Sequence, residues 1–284
     1  MDGKRIFVTN QEKYGYVDIL DTVSLERVDR IRVSGFPKGM AESADGKYLY
    51  LSLWSGNGVA RITFPEGKVD KIKTRGRARY GEKGPSKHPR GMVLTQDGKT
   101  LLVVNNSDRS LTLIDVPTFN ERKRINISIA PRHVVLSPDG KTAVISESGR
   151  GIAFFDVASE KVIKRVRVGR SPKSIVMSID GRFVYVSDYR GHSLSVIDTT
   201  TYQTKRMRLN MLRTSGIDVH PNDKFIYISG WCTNDVWAIQ RVDEGESVLE
   251  PMGQNRANEP CYQCDMPSTG CPTNAEIRKY RTKK

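Results

Sequence analysis

The chain has 284 residues, 46 of them Lys or Arg against 32 Asp or Glu, for a formal net charge of +14. That length accommodates one large domain or two small ones, each with a core. No stretch approaches the ~18 consecutive apolar residues of a membrane-spanning helix. The charge favours anionic partners and leaves the fold open, and 4 cysteines are too few for a disulfide-built scaffold.

The first element opens on a turn, MDGKRIFVTN from Met1. It lacks the long apolar region of a secretory leader, so either a cytoplasmic protein or a mature chain is expected. IFVTN alternates as a strand, Asp21 ends the next one, and Arg27, Arg30 and Arg32 mark a basic outer strand. The order then returns in full. GFPKGM opens an inner strand with Lys38, SADGKYLYLS turns into a second, and Lys68, Lys71 and Lys73 lie on the outer one. An insertion over 75–88 follows, TRGRARYGEKGPSKHPRG from Thr74, with Arg75, Arg77, Arg79 and Tyr80. The third unit has KHPRGM with Arg90, then TQDGKTLLVV, then a basic run at Arg122, Lys123 and Arg124. IAPRHV with Arg132, SPDGKTAVIS and a basic strand with Lys164, Arg165 and Arg167 make the fourth. The fifth reads RSPKSI with Lys173, SIDGRFVYVS, LSVIDT and TKRMRLN. In the sixth, HPNDKFIYIS supplies the turn, Ser215 replaces the cation, and Arg213 stands two residues earlier.

The turn glycines 3, 46, 98, 140 and 181, with Asp223 in the sixth place, are spaced 43, 52, 42, 41 and 42 residues apart. Several strands per period of this length signal a β-propeller blade. An all-β fold is expected: six four-stranded blades over 1–250, with repeat turns at 2–4, 45–47, 97–99, 139–141, 180–182 and 222–224. An irregular Cys-containing tail over 251–284 completes it. Each turn glycine supplies the left-handed conformation a tight hairpin requires. Basic outer strands suit exposed edges, where charge opposes edge-to-edge pairing, so part of the net charge is accounted for without any ligand.

IFVTN, YLYLS, FVYVSD and VIDT, with Pro opening the inner strand and SPDGK closing it, resemble the YVTN β-propeller repeat family from about Lys4 to Gln240. The resemblance implies a propeller in an extracytoplasmic home, periplasm or cell surface, as in surface-layer-type binding proteins. Related propellers include lactonases and haem-carrying domains.

Lys38, Arg90, Arg132 and Lys173 each precede their turn glycine by eight residues. Cations at equivalent places encircle a channel mouth and suit a carboxylate, a phosphate or a haem propionate. Internal pairing is the competing expectation, because Asn105, Glu147 and Asp188 follow three of them by fifteen residues. Arg109, Arg150, Arg170 and Arg190 add positive charge to loops of the same face. The insertion around Tyr80 suits single-stranded nucleic acid, an acidic protein or a lipid headgroup, or is a solvated loop. Cys232, Cys261, Cys264 and Cys271 suit two disulfides, with free thiols or a zinc or iron–sulfur site as alternatives.

Catalytic constellations are thin. The 4 histidines fall in different units, and no Gly-rich phosphate loop, HExxH or G-x-S-x-G occurs. The leading expectation is a non-catalytic binding or scaffold propeller without cofactor. It is a subunit of a larger assembly that contacts a protein partner or another anionic surface through its cationic face, nucleic acid being the lesser case. The alternative is a ligand or cofactor site at the channel mouth, in a lactonase-like enzyme or a haem carrier.

Overall fold

A Ser-x-Asp-Gly turn builds its own hydrogen bonds before any packing occurs. At Ser43 the hydroxyl donates to Asp45 Oδ1 (2.7 Å) and accepts from the Tyr48 amide (2.9 Å), while the Lys47 amide also reaches Asp45 (3.1 Å). Gly46 takes the left-handed φ of 69° that closes this hairpin. Thr95 with Asp97, Ser137 with Asp139 and Ser178 with Asp180 repeat the arrangement. In the sixth repeat Asn222 accepts from the Lys224 amide and Asp223 takes the glycine's place with a φ of 59°.

The structure, a computed structural model, describes residues 3–10, 14–74, 88–127, 130–233, 235–241 and 251–252. The fold is that of a six-bladed β-propeller, all-β and antiparallel, with no helix among the described residues. The first sheet holds β1 (Arg5–Asn10), β2 (Tyr16–Asp21) and β3 (Arg27–Arg32); the second holds β4 (Pro37–Glu42), β5 (Tyr48–Leu53), β6 (Gly58–Thr63) and β7 (Lys68–Lys73). The third runs β8 (Pro89–Leu94), β9 (Thr100–Asn105), β10 (Ser110–Asp115) and β11 (Asn120–Asn126). Next come β12 (Pro131–Leu136), β13 (Thr142–Glu147), β14 (Gly151–Asp156) and β15 (Lys161–Arg167). The fifth has β16 (Pro172–Met177), β17 (Phe183–Asp188), β18 (Ser193–Asp198) and β19 (Thr204–Arg208). The sixth has β20 (Thr214–Val219), β21 (Phe225–Gly230), β22 (Asp235–Gln240) and β23 (Pro251–Met252), two residues past the expected repeat boundary.

Two compact units result, residues 1–136 and 137–284, each with its own core. In the first, Leu49, Leu51, Ala60 and Ile62 pack with Val17 and Val33. In the second, Tyr185, Leu194, Ile226, Ile228, Trp237 and Ile239 form a cluster. The first sheet has three described strands instead of four, β1 taking the repeat position of β5. Its Ile6 and Val8 are 39% and 41% exposed, where their counterparts Leu49 and Leu51 are 2% and 0% exposed.

Neighbouring sheets within a unit are tied by a serine near the end of the second strand. Ser52 Oγ donates to the Arg90 carbonyl (2.5 Å) and accepts from the Gly39 amide (2.8 Å). Ser187 Oγ likewise reaches the Ser215 carbonyl (2.9 Å) and the Ser174 amide (3.0 Å). Ser146 Oγ donates to the Lys173 carbonyl (3.2 Å). The serine that ends the second, fourth and fifth phrases is therefore a clamp between sheets.

Candidate functional site

The inner strands of the first unit approach closely because they carry glycine where their backbones meet. A Cβ on Gly39 would collide with the Arg90 carbonyl, and one on Gly91 would lie 2.8 Å from His133 Cα. This packing brings the cations of neighbouring repeats together. Burial and the adjacent Arg132 charge push Arg90 down to about 10, and burial followed by the Arg90 charge lowers Lys38. Trp54 provides the wall: its ring centroid lies 4.9 Å from the Arg90 guanidinium and 5.7 Å from Lys38 Nζ. The imidazole of His88 stacks on the same indole at 4.3 Å and 8°, with Nδ1 2.6 Å from Ser107 Oγ.

A second cluster stands in the second unit. Lys173 Nζ donates to Ser215 Oγ (2.9 Å) and lies 4.5 Å from the Tyr189 ring centroid and 4.7 Å from that of Trp231. The Arg213 guanidinium lies 5.2 Å from the same Tyr189 centroid. Arg213 is only 8% exposed, and its Nε is buried without a hydrogen-bond partner among the described residues. Its backbone amide donates to His192 Nδ1 (3.1 Å), which leaves the neutral ring's proton on Nε2.

The acceptors expected to neutralise the cations are bound inside their own sheets. Asn105 donates to Ser110 and Thr112, Glu147 lies 3.4 Å from Arg165 Nε, and Asp188 accepts from Ser193 and Ser195. For Asn105 and Asp188 the reason is local, since residues five and seven positions on face them from the paired third strand, whereas the partner of Glu147 comes from the fourth strand. Arg109, Arg150, Arg170 and Arg190 are exposed on their loops. Cys232 is buried; Cys261, Cys264, Cys271, Arg75, Arg77, Arg79 and Tyr80 lie outside the described residues, as does all of the insertion but His88. Sequence reasoning missed the rings. Trp54, Tyr189 and Trp231 each stand eight residues after the turn position, mirroring the cations eight residues before it. That symmetry was a readable signal.

A propeller with cations and rings paired at repeated places defines the class of molecule. Residues 96–240 match the cytochrome D1 heme domain family model, and the chain belongs to that family. No curated protein matches the chain in sequence. Among solved structures it is similar to hydrazine synthase of Kuenenia stuttgartiensis (TM-score 0.74, 22% identity, covering 84% of this chain and 74% of that one). It is similar to the periplasmic gluconolactonase of Pseudomonas aeruginosa (TM-score 0.75, 16%, 91% and 84%) and to virginiamycin B lyase of Staphylococcus aureus (0.72, 12%, 89% and 81%). At these identities the likeness speaks for the fold alone.

The family name raises haem, and the donor set tests it. A ring nitrogen that accepts a hydrogen bond forces the proton onto its partner, and a protonated nitrogen has no lone pair for iron. His192 Nδ1 accepts from the Arg213 amide and His220 Nδ1 from the Asn222 amide (3.1 Å), so neither ring is set for ligation. His88 is held between Trp54 and Ser107. No group of three or more His, Cys, Asp or Glu poised for a metal ion occurs among the described residues. The cations fit carboxylate groups. The imidazoles of His192 and His220 do not fit an axial ligand.

Proposed function

We propose that this chain is a non-catalytic binding propeller that recognises oxyanions, carboxylate or phosphate, through cation–aromatic clusters at its inner strands. The observation that carries the reading is Arg90, held beside Arg132 and against Trp54 and pushed down to about 10. Like charges gathered in a partly buried place repel, and an incoming oxyanion relieves that repulsion. The YVTN-like repeats favour an extracytoplasmic setting and a protein partner within a larger assembly, presenting acidic side chains to this face.

The test is retention on immobilised polyglutamate over a salt series. Retention should fall steeply with salt, because exposed charges are screened beyond ~8 Å at physiological ionic strength. Arg90→Gln should elute earlier than wild type at unchanged melting temperature. Equal elution of the two proteins would remove the reading. Family membership supports a second one, a haem carrier whose carboxylates meet these cations. A Soret band that titrates to one equivalent of added haem would establish that alternative.

A further inference from the structure

The second unit contains a buried arginine whose guanidinium has no acidic partner among the described residues. Arginine cannot shed its proton, so burial of its charge is tolerated only when an anion or strong acceptor compensates it. The exposed surface of Arg213 is down to 8%, its Nε has no acceptor among the described residues, and its guanidinium lies over the face of Tyr189. Lys173 brings a second positive charge to the same ring. The residues that hold these groups come from separate loops and strands: Lys173 on β16, Tyr189 and His192 between β17 and β18, Arg213 before β20, Ser215 on β20, and Trp231 after β21. Convergence of six side chains from two repeats is the mark of a built site rather than of a solvated charge.

We infer that Lys173 and Arg213 form a dedicated subsite for one small oxyanion, a carboxylate or a phosphate monoester, walled by Tyr189 and Trp231. The inference deepens the binding reading above by giving it a defined stoichiometry and place. The guanidinium offers a planar fork to two oxygens, the ammonium a point charge to a third, and Ser215 holds that ammonium at 2.9 Å. Trp231, 44% exposed, leaves an apolar side on which the body of the ligand can lie.

Calorimetric titration of the full chain with inorganic phosphate and, separately, with benzoate at constant ionic strength tests this. Wild type should bind at least one of them in a one-to-one complex, and the arm that binds tells phosphate from carboxylate. Loss of a charge-assisted hydrogen bond weakens affinity by about tenfold or more, so Lys173→Met and Arg213→Gln should both show that loss. Arg213 is buried, so Arg213→Gln counts only with a wild-type circular dichroism spectrum; Lys173→Met keeps the test decisive if it does not fold. Wild-type affinity in Lys173→Met, or no binding of either probe to wild type, overturns the subsite. Should both probes fail while retention on polyglutamate persists, the subsite falls and the broader reading stands. Should retention fail while phosphate binds in a Lys173-dependent way, the broader reading falls and the subsite stands.

Discussion

Asn105 and Asp188 occupy the same place in their repeats and bind hydroxyls at two equivalent positions with opposite polarity. Asn105 donates to the hydroxyls of Ser110 (3.0 Å) and Thr112 (2.8 Å), whereas Asp188 accepts from those of Ser193 and Ser195 (2.7 Å each). Both side chains are fully buried. A neutral amide bonds both hydroxyls without charge, at the expense of an Oδ1 buried without a hydrogen-bond partner among the described residues. A carboxylate must carry its charge into a place water does not reach, and burial pushes Asp188 up to about 6 against the opposing hydrogen bonds of Ser195 and Ser193.

The first prediction follows from that shift. A carboxylate raised from 3.8 to about 6 in the folded state binds its proton more tightly there than in the unfolded chain. Its contribution is fully present below pH ~4 and is lost as pH rises through about 6, worth about 3 kcal/mol at the limit. Asp188→Asn, which copies the arrangement at Asn105, should flatten this part of the stability profile. Chemical denaturation at pH 4, 5, 6 and 7 checks it; parallel profiles for the two proteins refute it.

Ser187 carries the second. Its hydroxyl joins the Ser174 amide to the Ser215 carbonyl, both on inner strands of the second unit. Ser187→Ala leaves two backbone groups without their partner, at a cost of about 1–3 kcal/mol. Because Ser215 also holds Lys173, the substitution should weaken phosphate binding in the same protein. A wild-type melting temperature would contradict the clamp.

How much of this was legible in the sequence divides along physical lines. The propeller was legible because each turn is self-contained: Ser137, Asp139 and Gly140 satisfy one another within five residues, and the pattern recurs. The cation positions were legible from the same register. Their surroundings were not, since Trp54 meets Arg90, Tyr189 meets Arg213 and Trp231 meets Lys173 only once separate repeats are side by side. Internal pairing with Asn105, Glu147 and Asp188 was expected from spacing alone. Spacing fixes which residues share an end of the sheet, but Ser110 and Ser193 compete from the adjoining third strand and Arg165 from the fourth.

Arg241 gives the third prediction. Its guanidinium bridges Asp180, at 3.0 Å, and Asp223, the turn residues of the fifth and sixth repeats. Partial burial works against ionisation of Asp180, yet the hydrogen bonds from Ser178, the Arg182 amide and Arg241 hold its carboxyl down to about 2. The contribution of that carboxylate is therefore present above pH ~4 and is lost as pH falls through about 2. Asp180 is half exposed, so screening limits the pair, and Arg241→Ala should cost about 1 kcal/mol at neutral pH. Thermal melts in low and high salt should show the gap narrowing as salt rises; a gap indifferent to salt would assign the loss to packing instead.

The fourth concerns the backbone beneath the first cluster. Gly39 lies on β4 where its Cα faces the Arg90 carbonyl of β8, the same carbonyl that Ser52 Oγ reaches at 2.5 Å. A methyl group there cannot be accommodated by a side-chain rotation, because the atom it meets is backbone. Gly39→Ala must separate β4 from β8 or break the Ser52 clamp, at about 1–3 kcal/mol for overpacking of this kind. The same displacement moves Lys38 and Trp54 away from Arg90, so one substitution distinguishes a merely structural glycine from one that also positions the cations. Lower stability together with earlier elution from polyglutamate is the expected pair of results. Lower stability with unchanged elution at a temperature well below the melt would show that strand spacing is not what gathers these charges.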